Sequence, residues 1–182
     1  MQKSFFQCLI VKSKGYKYAG TRPALLEEVL ELARDGRWIY VEVKTGPEIV
    51  PYIKKIFNAQ KQANPENVLF ISFNQASCRE LKRVLPEYKT LYLISPIENG
   101  RYASAGETIA TLKKLGVDGV DCRYRRQIVT SDYIKAIRDA GYEFHVWTID
   151  DLPNAVEAFN RGAQTLTTNC AKKLLEGYRN NR

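Results

Sequence analysis

The chain predicts an α/β fold built on a parallel sheet, and two observations carry that expectation. Short runs rich in Val, Ile, Leu and Phe alternate along the 182 residues with stretches whose apolar residues recur at helical spacing. Glycines stand just past two of those stretches, in Leu115-Gly116 and Ala140-Gly141, where a left-handed helix cap is expected. Strand followed by helix, repeated, implies right-handed crossovers between parallel strands. A doubly wound sheet and a (β/α)8 barrel both satisfy this rhythm. No GxGxxG or P-loop follows a strand, so the nucleotide-binding sheet loses its best support and the barrel is favoured.

Each element follows from its own pattern. Leu25, Leu26, Val29, Leu30 and Leu32 mark a helix over 25–34. A strand at 38–44 and a helix at 48–62 come next, then a strand at 68–73 and a helix at 75–84. Strand 90–94 leads through a polar loop to a helix at 106–115, and strand 117–121 to a helix at 131–140. Strand 143–149 precedes helix 153–161, and a short strand at 164–167 precedes helix 170–178. Six strand–helix units result, against the eight of a complete barrel, which takes about 250 residues. The fold expected is therefore an incomplete TIM-type (β/α) barrel with its first two units missing. Residues 4–12 form one extra candidate strand.

Composition bounds the function. With 45% hydrophobic and 26% charged residues the chain is an ordinary globular one. No run reaches the roughly 20 apolar residues of a membrane-spanning helix. The apolar start is interrupted by Gln7 and followed by no small-residue cleavage site, so the chain as written reads as cytoplasmic, though a longer parent protein could be exported. Cys8, Cys78, Cys122 and Cys170 are scattered without metal spacing and read as reduced thiols. The net charge of +8 favours an anionic partner. Two basic clusters with interleaved tyrosines, Lys12 to Tyr18 and Arg123 to Arg126, read as solvated surface rather than a nucleic-acid face.

Glu42 and Lys44 stand apart. They place opposite charges two residues apart in Trp38-Ile-Tyr-Val-Glu-Val-Lys44, a run that otherwise reads as a buried strand. With a side-chain period of two, both project from one face at the strand's C-terminal end, where α/β enzymes place their chemistry. They read as a cation ligand and an anion contact, or as a partly buried ion pair. Trp147 and His145 share one face of a later strand: Trp147 reads as a pocket wall or core residue, His145 as a satisfied interior residue or a substitute acid/base. Ser72 and Asn74 fall on one face with Phe73 opposite, and Asn74 reads as a substrate contact or a helix cap. Thr167, Thr168 and Asn169 precede the last helix as an anion site or an N-cap.

Leu26-Glu-Glu-Val-Leu30, Val41-Glu-Val-Lys44, Ile71-Ser-Phe-Asn74, Val146-Trp-Thr-Ile-Asp150, Arg161-Gly162-Ala163 and Thr167-Thr-Asn169 together resemble the glycerophosphodiester phosphodiesterase family, in its order and at about its spacing. The resemblance divides the chain into an unmatched lead, residues 1–17, and a partial barrel domain, residues 18–182. It implies that Glu42 helps hold a divalent cation, Ca²⁺ or Mg²⁺, that Lys44 sits beside the substrate phosphate, and that Trp147 lines the pocket. The implied reaction is metal-assisted hydrolysis of a glycerophosphodiester to glycerol phosphate and an alcohol. Family members open with a His-Arg-Gly strand end, a Glu-x-Asp strand and a His-Asp pair, which supply acid, base and two metal ligands. None of these occurs here, and the one histidine, His145, matches neither catalytic histidine. The expectation is a phosphodiesterase relative with little or no activity as this chain, either a natural truncation or a fragment of a longer frame. The alternative is a non-catalytic module that binds phosphodiesters or glycerol phosphate, or assembles with itself through open sheet edges.

Overall fold

A computed structural model of the chain describes residues 22–33, 36–60, 63–95, 97–98 and 101–180. The extra strand expected at 4–12 and the basic cluster from Lys12 to Tyr18 lie outside these residues. Six strands form one parallel sheet: β1 (Ile39–Glu42), β2 (Val68–Ser72), β3 (Lys89–Ile94), β6 (Gly119–Arg123), β7 (Glu143–Trp147) and β8 (Thr165–Leu166), in that spatial order. Between β3 and β6 a two-stranded antiparallel hairpin, β4 (Ile97–Glu98) and β5 (Arg101–Tyr102), rises from what reads in sequence as a plain polar loop.

The helices follow their strands. They are α1 (Leu26–Leu30), α2 (Val50–Ala59, entered through a 3-10 turn at Pro47–Ile49), α3 (Gln75–Val84), α4 (Ala105–Leu115), α5 (Ser131–Asp139), α6 (Leu152–Asn160) and α7 (Ala171–Asn180). α4 to α7 have the expected bounds to within two residues and α3 has them as stated, while α2 ends three residues early. The first helix is shorter than its periodicity, breaking into a turn after Leu30. Caps explain several starts: Asn74 Oδ1 accepts from the Ala76 and Ser77 amides, and Ser104 and Glu107 form a reciprocal capping box. Gly116 and Gly141 adopt φ of 68° and 91°, as their positions after α4 and α5 require.

Apolar residues on the outer face of the sheet meet the helices in two clusters. Phe70 and Val68 pack with Leu30, Phe57 and Leu81, while Phe144, Val120 and Val146 pack with Leu112, Ile134 and Ala158. The opposite face is set by register. Glu42 pairs with Ile71, Ile71 with Leu91, Leu91 with Gly119 and Gly119 with Glu143, so these five share one face. Asp121, His145 and Thr165 form a second row on it.

That face is concave. In a flat sheet β1 and β7, four strand spacings of about 4.8 Å apart, would stand about 19 Å from each other. Instead the Tyr40 hydroxyl lies 3.2 Å from His145 Nδ1 and 3.4 Å from Thr165 Oγ1, crossing the interior from the first strand to the last two. The sheet is thus an open half-barrel with helices outside. Within the described residues β1 and β8 each pair on one side only. No helix among them is long and apolar enough to cross a membrane.

Candidate functional site

Strand polarity brings all the C-terminal ends to one mouth of the half-barrel, and the charged pair lies there. Glu42 ends β1 and Lys44 follows it, with Nζ 3.4 Å from Glu42 Oε2. The Lys44 side chain is 75% exposed and that of Glu42 33%, so the pair is screened and the ammonium remains open to a further anion. Beside them a cavity of about 450 Å³ is lined by Glu42, Val43, Lys44, Phe73 and Asn74.

Two aromatic rings complete the rim. Phe73 meets Trp147 edge to face, centroids 5.6 Å apart, and the Arg123 guanidinium carbon lies 5.8 Å from the Trp147 ring. Trp147 is anchored by its indole N–H, which donates to the Asp121 carbonyl at 3.1 Å. Phe73 shares the inward parity of Leu69 and Ile71, opposite Ser72 as alternation predicts. Ser72 points outward and donates to the Val43 carbonyl, while Asn74 serves as the cap of α3, leaving only its amide nitrogen for a ligand.

His145 does not reach the rim. It is 4% exposed, with Nε2 3.4 Å from Glu143 Oε2 and Nδ1 facing Tyr40. His145 first, then Lys89, hold the Glu143 carboxyl down at about 2, so Nε2 faces an ionised carboxylate. Nδ1 and the Tyr40 hydroxyl share a hydrogen bond, and the same hydroxyl lies within reach of Thr165 Oγ1. Both ring nitrogens are engaged in the interior, the satisfied-histidine arrangement.

Asp121 sits beside His145 in the same row, on the neighbouring strand β6, and is 1% exposed. Its Oδ1 has no hydrogen-bond partner among the described residues. Burial pushes its carboxyl up to about 6; His145 draws it down and the charge of Glu42 pushes it further up. Sequence reasoning placed Asp121 at a strand end without giving it a role. At the last helix, the Asp150 carboxylate accepts from the Asn169 amide, Asn169 Nδ2 and Thr168 Oγ1, and Thr168 Oγ1 accepts from Cys170 N. Asp150 thus occupies the place considered for an external anion.

A divalent cation does not fit these residues. No three His, Cys, Asp or Glu side chains gather at one point among the described residues, and Glu42 already faces Lys44. One carboxylate is far short of the six to eight oxygens that Ca²⁺ takes.

A glycerophosphodiester phosphodiesterase of Caldanaerobacter subterraneus subsp. tengcongensis is 25% identical over 166 residues, covering 88% of this chain and 64% of the relative, so the chain spans less than two thirds of that enzyme's length. The crystal structure of a glycerophosphodiester phosphodiesterase from Parabacteroides distasonis superposes with a TM-score of 0.68 at 23% identity, covering 86% of this chain and 64% of that one. An Oleispira antarctica phosphodiesterase, solved in complex with the product sn-glycerol-3-phosphate, superposes with a TM-score of 0.69 at 19% identity, covering 85% and 60%. At these identities the two structures establish a shared fold. The glycerophosphoryl diester phosphodiesterase family model matches residues 22–172, most of the chain, and on that match the chain belongs to the glycerophosphoryl diester phosphodiesterase family.

Proposed function

We propose that this chain binds the phosphate of a glycerol phosphate or glycerophosphodiester at the mouth of the half-barrel, and that as it stands it hydrolyses such diesters little or not at all. The observation that carries this reading is the exposed Lys44 ammonium beside a small cavity and an aromatic rim, with the chain's one histidine locked inside. Family membership and the glycerol phosphate bound by the Oleispira relative support it.

The residues' own chemistry defines what the site does. A phosphate oxygen would take Lys44 as a point-charge donor in exchange for Glu42, whose carboxylate then orients the ammonium from its other side. Phe73 and Trp147 would cover the carbon skeleton of the glycerol. Cleaving a diester also requires a proton for the leaving alkoxide and a base for the attacking oxygen. His145 delivers neither, because both nitrogens are engaged away from the mouth. With the cation unsupported as well, binding outlasts catalysis.

Titration calorimetry with glycerol 3-phosphate tests the binding half. Lys44→Met should weaken binding about tenfold, the worth of one charge-assisted contact. Absence of wild-type binding rejects the reading. Hydrolysis of glycerophosphocholine with Ca²⁺ or Mg²⁺, at a rate that Glu42→Ala abolishes, rejects the claim of inactivity.

A second reading, self-assembly through open edges, is favoured by the single-sided pairing of β1 and β8 among the described residues. Light scattering across a concentration series tests it. A strict monomer removes it.

A further inference from the structure

A second cavity of about 550 Å³ opens at the same end of the sheet, beneath the β4–β5 hairpin and against α4. Phe73 lines both this cavity and the smaller one beside Lys44, so the two adjoin across one ring. Among the described residues its charged lining side chains cancel: Arg101 pairs with Glu107 at 2.8 Å, and that pair together with the Ser104 cap holds the Glu107 carboxyl down at about 2. The remaining lining is neutral. Tyr92, Ile94 and Ile97 offer apolar surface, and Gln75 Nε2 donates to the Tyr92 hydroxyl at 3.2 Å. That bond leaves the Tyr92 proton as a donor and the Gln75 carbonyl as an acceptor.

A donor and an acceptor side by side over an apolar wall suit hydroxyl groups on a carbon ring, since each hydroxyl both gives and takes a hydrogen bond. They offer nothing to a cation. An ammonium would enter a site whose one carboxylate among the described side chains, Glu107, is already paired with Arg101, next to Lys44 and within a chain of net charge +8. We propose that this cavity receives the alcohol arm of a phosphodiester whose phosphate lies at Lys44, and that it takes an uncharged polyol in preference to a quaternary-ammonium alcohol. The inference rests on the phosphate reading above and adds to it the side on which the second ester arm lies.

The test uses the full 182-residue chain and three probes: glycerophosphoinositol, glycerophosphocholine and glycerol 3-phosphate, each titrated calorimetrically. Glycerophosphoinositol should bind about fivefold or more tighter than glycerophosphocholine, the worth of one or two hydrogen bonds. Thr111→Trp, which fills the cavity from α4, should bring glycerophosphoinositol down to the affinity of glycerol 3-phosphate while leaving the latter unchanged. Gln75→Leu should cost the inositol diester about fivefold by removing the acceptor. Unchanged glycerol 3-phosphate binding also certifies that each variant is folded. Equal or tighter binding of the choline diester overturns the proposal, as does a Thr111→Trp variant that binds all three probes like the wild type. If the wild type fails to bind glycerol 3-phosphate, the phosphate reading falls and takes this inference with it.

Discussion

Asp121→Asn is expected to stabilise the protein above pH 6 and to leave it unchanged near pH 4. The carboxyl is buried, Oδ1 lacks a partner, and its pKa rises from 3.8 to about 6 on folding. Well below the unfolded pKa of 3.8 the group is protonated in both states and its charge costs nothing, and near pH 4 little of the cost has yet accrued. As pH rises from 4 to 6 the unfolded chain releases the proton while the folded chain keeps it, and stability falls. Above pH 6 the loss is complete. At about 1.4 kcal/mol for each tenfold change in proton affinity it amounts to about 3 kcal/mol. Asparagine removes the charge but keeps a polar atom at the same buried position, so the expected gain at pH 8 is nearer 2 kcal/mol. Urea unfolding of both proteins at pH 4 and pH 8, with slopes compared, measures it directly. A variant less stable than the wild type at pH 8, or a difference between the proteins that is the same at both pH values, would refute the reasoning.

Gly119→Ala places a Cβ against the backbone carbonyl of Glu143 in the neighbouring strand, where nothing flexible can yield. A loss of about 3 kcal/mol is expected in the same urea experiment, and a loss under about 1 kcal/mol would mean that β6 and β7 lie further apart than described. Tyr40→Phe removes the hydroxyl bonded to His145 and Thr165 and should cost about 1 kcal/mol, with the far-ultraviolet spectrum unchanged. Burial raises the Cys78 thiol to about 12 and pushes Cys122 higher still. Iodoacetamide at pH 8 should therefore modify the partly exposed Cys170 and spare those two until denaturant is added, as read by mass spectrometry of peptides.

Much of the fold is legible in the chain because its signals agree. For α3, a cap at Asn74 and a clean apolar period coincide, so its bounds follow directly. β6 begins and ends two residues later than expected, because Val117 and Asp118, which read in sequence as the start of the strand, still belong to the turn that closes α4, with the Val117 amide donating back to the Leu112 carbonyl. The β4–β5 hairpin has two-residue strands and therefore no period to detect. At the site, the Glu42–Lys44 pair is visible from alternation alone. Phe73 alternates with Leu69 and Ile71, so its inward parity is legible, and Asn74 takes the helix-cap alternative of its two readings. The Tyr40–His145 contact lies beyond sequence reasoning. It joins residues 105 apart and depends on how tightly the sheet curves.

That crossing tyrosine has a mechanical consequence. Among the described residues every junction between neighbouring strands is a ladder of backbone hydrogen bonds, whereas the first strand meets the last two through side chains, the Tyr40 hydroxyl and its ring against His145. Widening the curve would stretch two side-chain bonds, and widening any other gap would tear a ladder. The half-barrel is therefore compliant along one seam and stiff everywhere else, and the seam runs through the same ring that fixes the orientation of His145.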